Sequence, residues 1–324
     1  MLELTELSYY ATVALTVALN AIGVGIGQGL TTSSAISCMN RQPAARDGIA
    51  KTAVLGMALI ETSAIMGTFV SMMLLFGPQQ ATRTVYVCCS QLGIAFAMCL
   101  SGVTIGIASS LPTRAACLAI ARQPFFAQRI LRFMLISLSL IQTPIIFGLI
   151  VALVIQGQLP NAVTMRESIR LLSSGLCIGL GSVGPSIGLA LFAQAACTSI
   201  GLNRKAYGKL LSFTFVSQAM IETPIIFSLI ISIILLFVIQ PTRYENLIDT
   251  VVFFSAALCT SVGTIGPGIS SGRSAASACR QIALNPSLHT IVSRVSMFAQ
   301  GLIETCAIYP VLVSLLLLFF QFFR

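Results

Sequence analysis

Eight apolar runs, each longer than the roughly twenty residues that carry a helix across a bilayer, fill almost all of this 324-residue chain. They cover residues 8–38, 45–76, 84–119, 125–155, 164–200, 204–239, 244–283 and 286–323. No other feature constrains the fold as much. A backbone in hydrocarbon must satisfy its own N–H and C=O groups, which leaves helices and closed barrels. The period-two alternation of barrel strands is absent. With 56% hydrophobic residues, 8% charged residues and a mean hydropathy of +0.95, the chain lacks the charge that keeps a soluble domain of this size in water. It reads as an all-α membrane protein with eight transmembrane helices. Several runs exceed the hydrocarbon thickness and are expected to tilt or protrude. Met1–Tyr10 has no basic segment ahead of its apolar run, so no cleaved signal peptide is expected.

The net charge of +9 is a topology signal rather than a nucleic-acid one. Thirteen of the eighteen basic residues lie near the turns joining helices one to two, three to four, five to six and seven to eight: Arg41, Arg46, Lys51, Arg114, Arg122, Arg129, Arg132, Arg204, Lys205, Lys209, Arg273, Arg280 and Arg294. The other side holds Arg83, Arg166, Arg170, Arg243 and Arg324, offset by Glu3, Glu6, Glu167, Glu245 and Asp249. The positive-inside rule then puts the turns in the cytoplasm and both termini outside. The ten cysteines show no CxxC spacing and read as small apolar filler, with no structural metal expected.

Superimposed on the apolar runs is a repeat. Glu61, Gln142, Glu222 and Glu304 each sit near the middle of a second helix, spaced by 81, 80 and 82 residues. The chain divides into four tandem helical hairpins, 1–77, 78–158, 159–240 and 241–324. First helices carry the small-residue stretches "GVGIGQG" (23–29), "GVTIGIASS" (102–110), "GLGSVGPSIG" (179–188) and "GTIGPGISSG" (263–272), and second helices carry bulkier Leu, Ile, Phe and Met. Glycines let membrane helices approach closely, and repeated units with one packing face tend to close symmetrically. The expected assembly is a concentric two-layer ring, first helices inside.

A carboxylate at the bilayer midplane costs roughly 2.5–3.5 kcal/mol on insertion scales. Glu61, Glu222 and Glu304 should therefore spend most of their time neutral, protonated or paired with a cation. Three acids at one depth read as reversible ion carriers, and Gln142, which cannot ionise, as an inactive equivalent. Residues at equal depth in an antiparallel hairpin are equidistant from its turn. That places Gln28 level with Glu61, Ser109 with Gln142, Leu189 with Glu222 and Ser271 with Glu304. Gln28 and Ser271 are candidate ligands, as are the hydroxyls of Thr62, Thr143, Thr223 and Thr305, which follow the focal residue in every copy. A mid-helix Thr otherwise bonds its own backbone. Pro144 and Pro224 should bend their helices, and His289 reads as a solvated loop residue.

The Gly-rich "GVGIGQG", the turn Arg41-Gln42-Pro43 and "ALIETSAIMG" around Glu61 together resemble the c-type proteolipid, the rotor-ring component of F-type rotary ATP synthases, over the whole chain and in four tandem copies. The turn recurs as Arg122-Gln123-Pro124, but becomes Leu202-Asn203-Arg204 and Leu284-Asn285-Pro286 in the last two copies. The resemblance implies a membrane rotor that is not catalytic by itself, needs no cofactor and carries H+ or Na+ on Glu61, Glu222 and Glu304. Its partners would be further copies of the chain in a ring, the a-type stator subunit, surrounding lipid, and central-stalk subunits at Arg41, Gln42, Pro43, Arg122, Gln123 and Pro124. A bacterial inner membrane is the expected location. Tyr309 matches a family position near the site and is expected to orient Glu304. A ring of n chains would have 4n hairpins and 3n carrying sites, or about n ions per ATP if one turn makes three. Gln28, Glu61 and Thr62 are similar to the sodium pattern of the family, whereas Leu189 offers no ligand. A ring moves one ion through every site, so the reading favours protons, with sodium as the alternative. Fused V/A-type rotors resemble this arrangement too, and a stand-alone ion-coupled transporter is a further alternative. Transporters commonly use inverted repeats, while two-helix repeats all share one orientation. No P-loop is present for ATP.

Overall fold

In a computed structural model the described residues are 2–76, 84–237 and 247–322. The opposite-side charges Arg83, Arg243, Glu245 and Arg324 fall outside them, as do the ends of the sixth and seventh apolar runs. Among the described residues there are eight helices long and apolar enough to cross a membrane: α1 (Thr5–Arg41), α2 (Pro43–Phe76), α3 (Val85–Arg122), α4 (Pro124–Asn161), α5 (Met165–Leu202), α6 (Arg204–Phe237), α7 (Ile248–Leu284) and α8 (Pro286–Phe319). At 34–38 residues and 1.5 Å per residue they are about 51–57 Å long. That is longer than a hydrocarbon layer of about 30 Å is thick.

The helices form two layers. α1 packs on α3, α3 on α5 and α5 on α7, while each even-numbered helix covers its own partner and, for α2, α4 and α6, the first helix of the next hairpin. The series has two ends. Only 33% of the apolar window of α1 and 22% of that of α8 is buried, against 67% for α3 and 72% for α5. First helices touch one another more extensively than second helices do, so this open series curves into an arc.

Glycine decides the inner spacing. A Cβ at Gly27 would overlap the carbonyl of Gly106, one at Gly175 that of Gly93, and one at Gly188 that of Gly268, so these backbones touch. Polar side chains then fix the register. Ser71, Ser232 and Ser314 in second helices donate to the carbonyls of Val13, Ser174 and Ala256 in their own first helices, at 2.9, 3.0 and 2.8 Å. All three pairs are 58 residues apart, so one hydrogen bond recurs in three hairpins.

Four helices are interrupted, at Ser109, Gln142, Ser182 and Thr264. Each interruption lies two or three residues before a proline (Pro112, Pro144, Pro185, Pro267), whose missing N–H and bulky ring disturb the preceding turn. Near Pro144, where a bend is expected, the helix is interrupted at Gln142. Pro224, in the same Thr-Pro step, lies inside an unbroken α6, as Pro310 does in α8, so proline alone does not set the break.

The turns are built alike in every copy. Gln42, Gln123, Asn203 and Asn285 each precede a single 3-10 turn that starts the second helix. Gln123 Nε2 donates to the Gly201 carbonyl at 2.9 Å, and Asn203 Nδ2 donates to the Ala283 carbonyl at 2.9 Å. Asn203 thus does for hairpins 3 and 4 what Gln123 does for hairpins 2 and 3, so the altered motif keeps its structural role. At the opposite end Arg166 pairs with Asp249 at 3.1 Å, and Arg170 donates to the Leu235 and Leu236 carbonyls at the end of α6. The expectation for His289 is corrected. It opens the helical part of α8 at His289–Phe322, and its Nε2 is shielded and makes no hydrogen bond among the described residues. The residue as a whole is half-buried.

Candidate ion-binding seats

At mid-height the second-helix residues meet their neighbours across hairpin boundaries. Residue i and residue i+1 of a helix point about 100° apart, so the Thr after each focal residue faces away from it, towards the next hairpin. Thr62 accordingly lies against Gln142, with its hydroxyl 3.0 Å from Gln142 Oε1 and 2.7 Å from the Leu59 carbonyl. The Thr143 hydroxyl lies beside the Glu222 carboxyl, and the Thr223 hydroxyl beside that of Glu304. The expectation that each Thr serves the acid of its own copy is thus corrected by one hairpin. The Thr hydroxyls also bond their own helix backbone, Thr143 to Leu140, Thr223 to Ala219 and Thr305 to Leu302.

The four seats differ in how well they are satisfied. Gln142 is 8% exposed and fully engaged. Its Nε2 donates to the Leu59 carbonyl at 3.0 Å and to Ser109 Oγ at 3.4 Å, and its Oε1 faces Thr62. The hairpin rule placed Ser109 correctly. Ser271, the residue the hairpin rule sets level with Glu304, is buried, and both Ser271 Oγ and Glu304 Oε1 are without a hydrogen-bond partner among the described residues, so the two do not bond each other. Leu189, the residue the hairpin rule sets level with Glu222, is buried and apolar. Glu61 is exposed and makes no side-chain hydrogen bond among the described residues. Gln28 reaches the Met57 carbonyl, one turn before Glu61, at 3.4 Å, so it is close in level but does not bond the acid. Tyr309 is 62% exposed and makes no bond to Glu304 within the chain, against the expectation that it orients that carboxyl. Its position five residues on turns it to the outer surface.

The Leu59 carbonyl could not be read from the sequence, because every residue has one and only packing selects which is used. At the turns, Arg41, Pro43 and Arg122 are exposed, while Gln42, Gln123 and Pro124 are half-buried. Among the described residues no three His, Cys, Asp or Glu side chains cluster to hold a metal.

Four segments, 11–74, 92–155, 172–235 and 254–317, match the ATP synthase subunit-C family, and together they span more than half of the chain. The chain belongs to that family. Proteins named as ATP synthase c subunits are similar to single parts of it. The one from Dehalococcoides mccartyi is 41% identical over 72 residues, 22% of this chain and 95% of that protein. Those of Mycoplasma capricolum and Synechococcus sp. are 37% and 41% identical, over 25% and 24% of this chain and 79% and 93% of theirs. Each relative is thus about one hairpin long, and this family member joins four such lengths in one integral membrane chain.

Proposed function

We propose that this chain is the ion-carrying rotor subunit of an F-type ATP synthase, with no catalysis of its own. Glu61, Glu222 and Glu304 carry protons across the membrane, and hairpin 2 carries none. The observation behind this reading is the contrast between seats. The polar atoms around Gln142 are paired, whereas Glu304 Oε1 and Ser271 Oγ lie buried without partners among the described residues. A buried polar atom left unpaired costs about 1–3 kcal/mol, a cost that a proton or cation bound there would remove.

The arc supports closure into a ring of copies. Glu61 lies bare at one end and Thr305, the residue that would flank it by the one-hairpin offset, lies exposed at the other. Gly25 and Gly29 on α1 and Gly266 on α7 have nothing within 4 Å of where a Cβ would stand, while the equivalent inner glycines touch a neighbouring backbone. The same small-residue faces that join successive hairpins are therefore bare at both ends. Leu189, level with Glu222 by the hairpin rule, provides no cation ligand, which favours protons over sodium. The exposed Arg41, Pro43 and Arg122 are the surface offered to a central stalk, and a stator subunit would meet the second-helix layer. The basic turns favour a cytoplasmic orientation in a bacterial inner membrane.

The test is intact mass after treatment with dicyclohexylcarbodiimide, which attacks protonated membrane carboxyls, with and without sodium. Adducts on Glu61, Glu222 and Glu304 at rates insensitive to sodium are expected. Protection by sodium would replace the proton by sodium. No adducts would remove the ion-carrying reading.

A further inference from the structure

The hydrogen bonds around Gln142 say more than that a carboxylate is missing. At this seat three polar groups from two hairpins converge: the Leu59 carbonyl, the Thr62 hydroxyl and the Ser109 hydroxyl, the last wholly buried. In hairpin 4 the buried Ser271 hydroxyl and one Glu304 carboxyl oxygen find nothing to bond among the described residues, each other included. A glutamine differs from a glutamate in this respect by its NH2 group, and that nitrogen is the atom that reaches the Leu59 carbonyl and Ser109 Oγ. An N–H donor and a bound cation make the same demand of such oxygens, because both present positive charge to lone pairs.

We propose that Gln142 is a permanently filled seat, in which the amide nitrogen occupies the place that a carried ion takes at the acidic seats. This inference rests on the rotor reading and deepens it. The seat is neutral and satisfied at every stage, so nothing has to bind before hairpin 2 enters lipid and nothing can leave it. The amide also ties α2 to α4 through Leu59 and Thr62, so the boundary between hairpins 1 and 2 is clasped whether or not ions are present. At the next two boundaries Gln218 and Gln300 donate across to Ser137 and Ser217, and only the contact at the carboxyl itself depends on what Glu222 or Glu304 holds. Hydrophobic replacement of the glutamate would have left the Leu59 carbonyl and Ser109 hydroxyl without this donor. Gln142 thereby acts as a positioning residue.

Two measurements on the intact complex test this. In Gln142→Glu the three oxygens remain, and the seat becomes equivalent to that of Glu304. Carbodiimide treatment should then give four adducts per chain where the unaltered protein gives three. The unaltered protein serves as the check on the rotor reading itself. Three native adducts with no fourth in Gln142→Glu would overturn the filled-seat proposal alone. The second measurement needs no new carboxyl. Gln142→Leu and Ser109→Ala should each lower the temperature at which the chain unfolds in detergent, and leave the three native adducts and their rates unchanged. Unfolding temperatures equal to that of the unaltered protein in both variants would mean that the amide clasps nothing, and would overturn it as well.

Discussion

The most direct test of the packing is a single methyl group at Gly188. In α5 this glycine faces α7, where a Cβ would overlap the Gly268 carbonyl and approach Ile221 Cγ2 at 3.2 Å. The isoleucine methyl can rotate aside, but the carbonyl is held in the backbone of α7. Gly268 and Gly272 press back on α5 from the other side, at Pro185 and at Gly188 itself. Alanine gains about 0.5–1 kcal/mol of helix propensity over glycine. Forcing a methyl into a filled contact costs about 1–3 kcal/mol. The balance for Gly188→Ala is a net loss of roughly 1–2 kcal/mol. Gly157→Ala is the matched control: nothing lies within 4 Å of its Cβ position, so only the propensity term acts and the sign reverses. Unfolding of the purified chain in mixed micelles by increasing denaturing detergent would report both. If Gly188→Ala were as stable as the unaltered chain, α5 and α7 would not touch backbone to backbone, and the two-layer arc would be wrong at its centre.

Further outcomes follow from the same contacts. Gly25→Leu, on the bare face of α1, should leave the unfolding of the single chain unchanged but reduce the large multimer seen on a mild detergent gel. An unchanged multimer would place the copy–copy contact elsewhere. Asn203→Ala removes the bonds to the Ala283 carbonyl and the Lys205 N–H and should cost about 1–2 kcal/mol, read as a lower unfolding midpoint. Asp249→Ala takes from Arg166 the carboxylate 3.1 Å away. The loss should be larger than for an exposed pair, about 3 kcal/mol or more, by the same measurement.

The repeat made much of the site legible. The offset of 33 residues within a hairpin placed Ser109 against Gln142 because an antiparallel pair with a short turn has one register. The same rule came close for Gln28, which stops at the Met57 carbonyl one turn short of Glu61. It is silent on the threonines, since it describes one hairpin and the seats lie between two. Thr62, Thr143 and Thr223 cross to the next copy, and nothing within a single repeat marks that step. Tyr309 and His289 were misjudged for a related reason: their surroundings are set by helix rotation and by the last turn of packing, neither of which has a sequence period.

The sequence by itself determined the membrane, the eight helices, their pairing into hairpins and the mid-helix positions of Glu61, Gln142, Glu222 and Glu304. Each of these follows from apolar length or from internal repetition, which are properties of the chain alone. Only the tertiary structure decided which atoms meet. The Leu59 carbonyl, the one-hairpin shift of the threonines and the unpaired Ser271 hydroxyl depend on how closely glycine-lined backbones approach and how one hairpin is turned against the next. Those distances are set by contacts among residues about 80 positions apart, and no local pattern carries them.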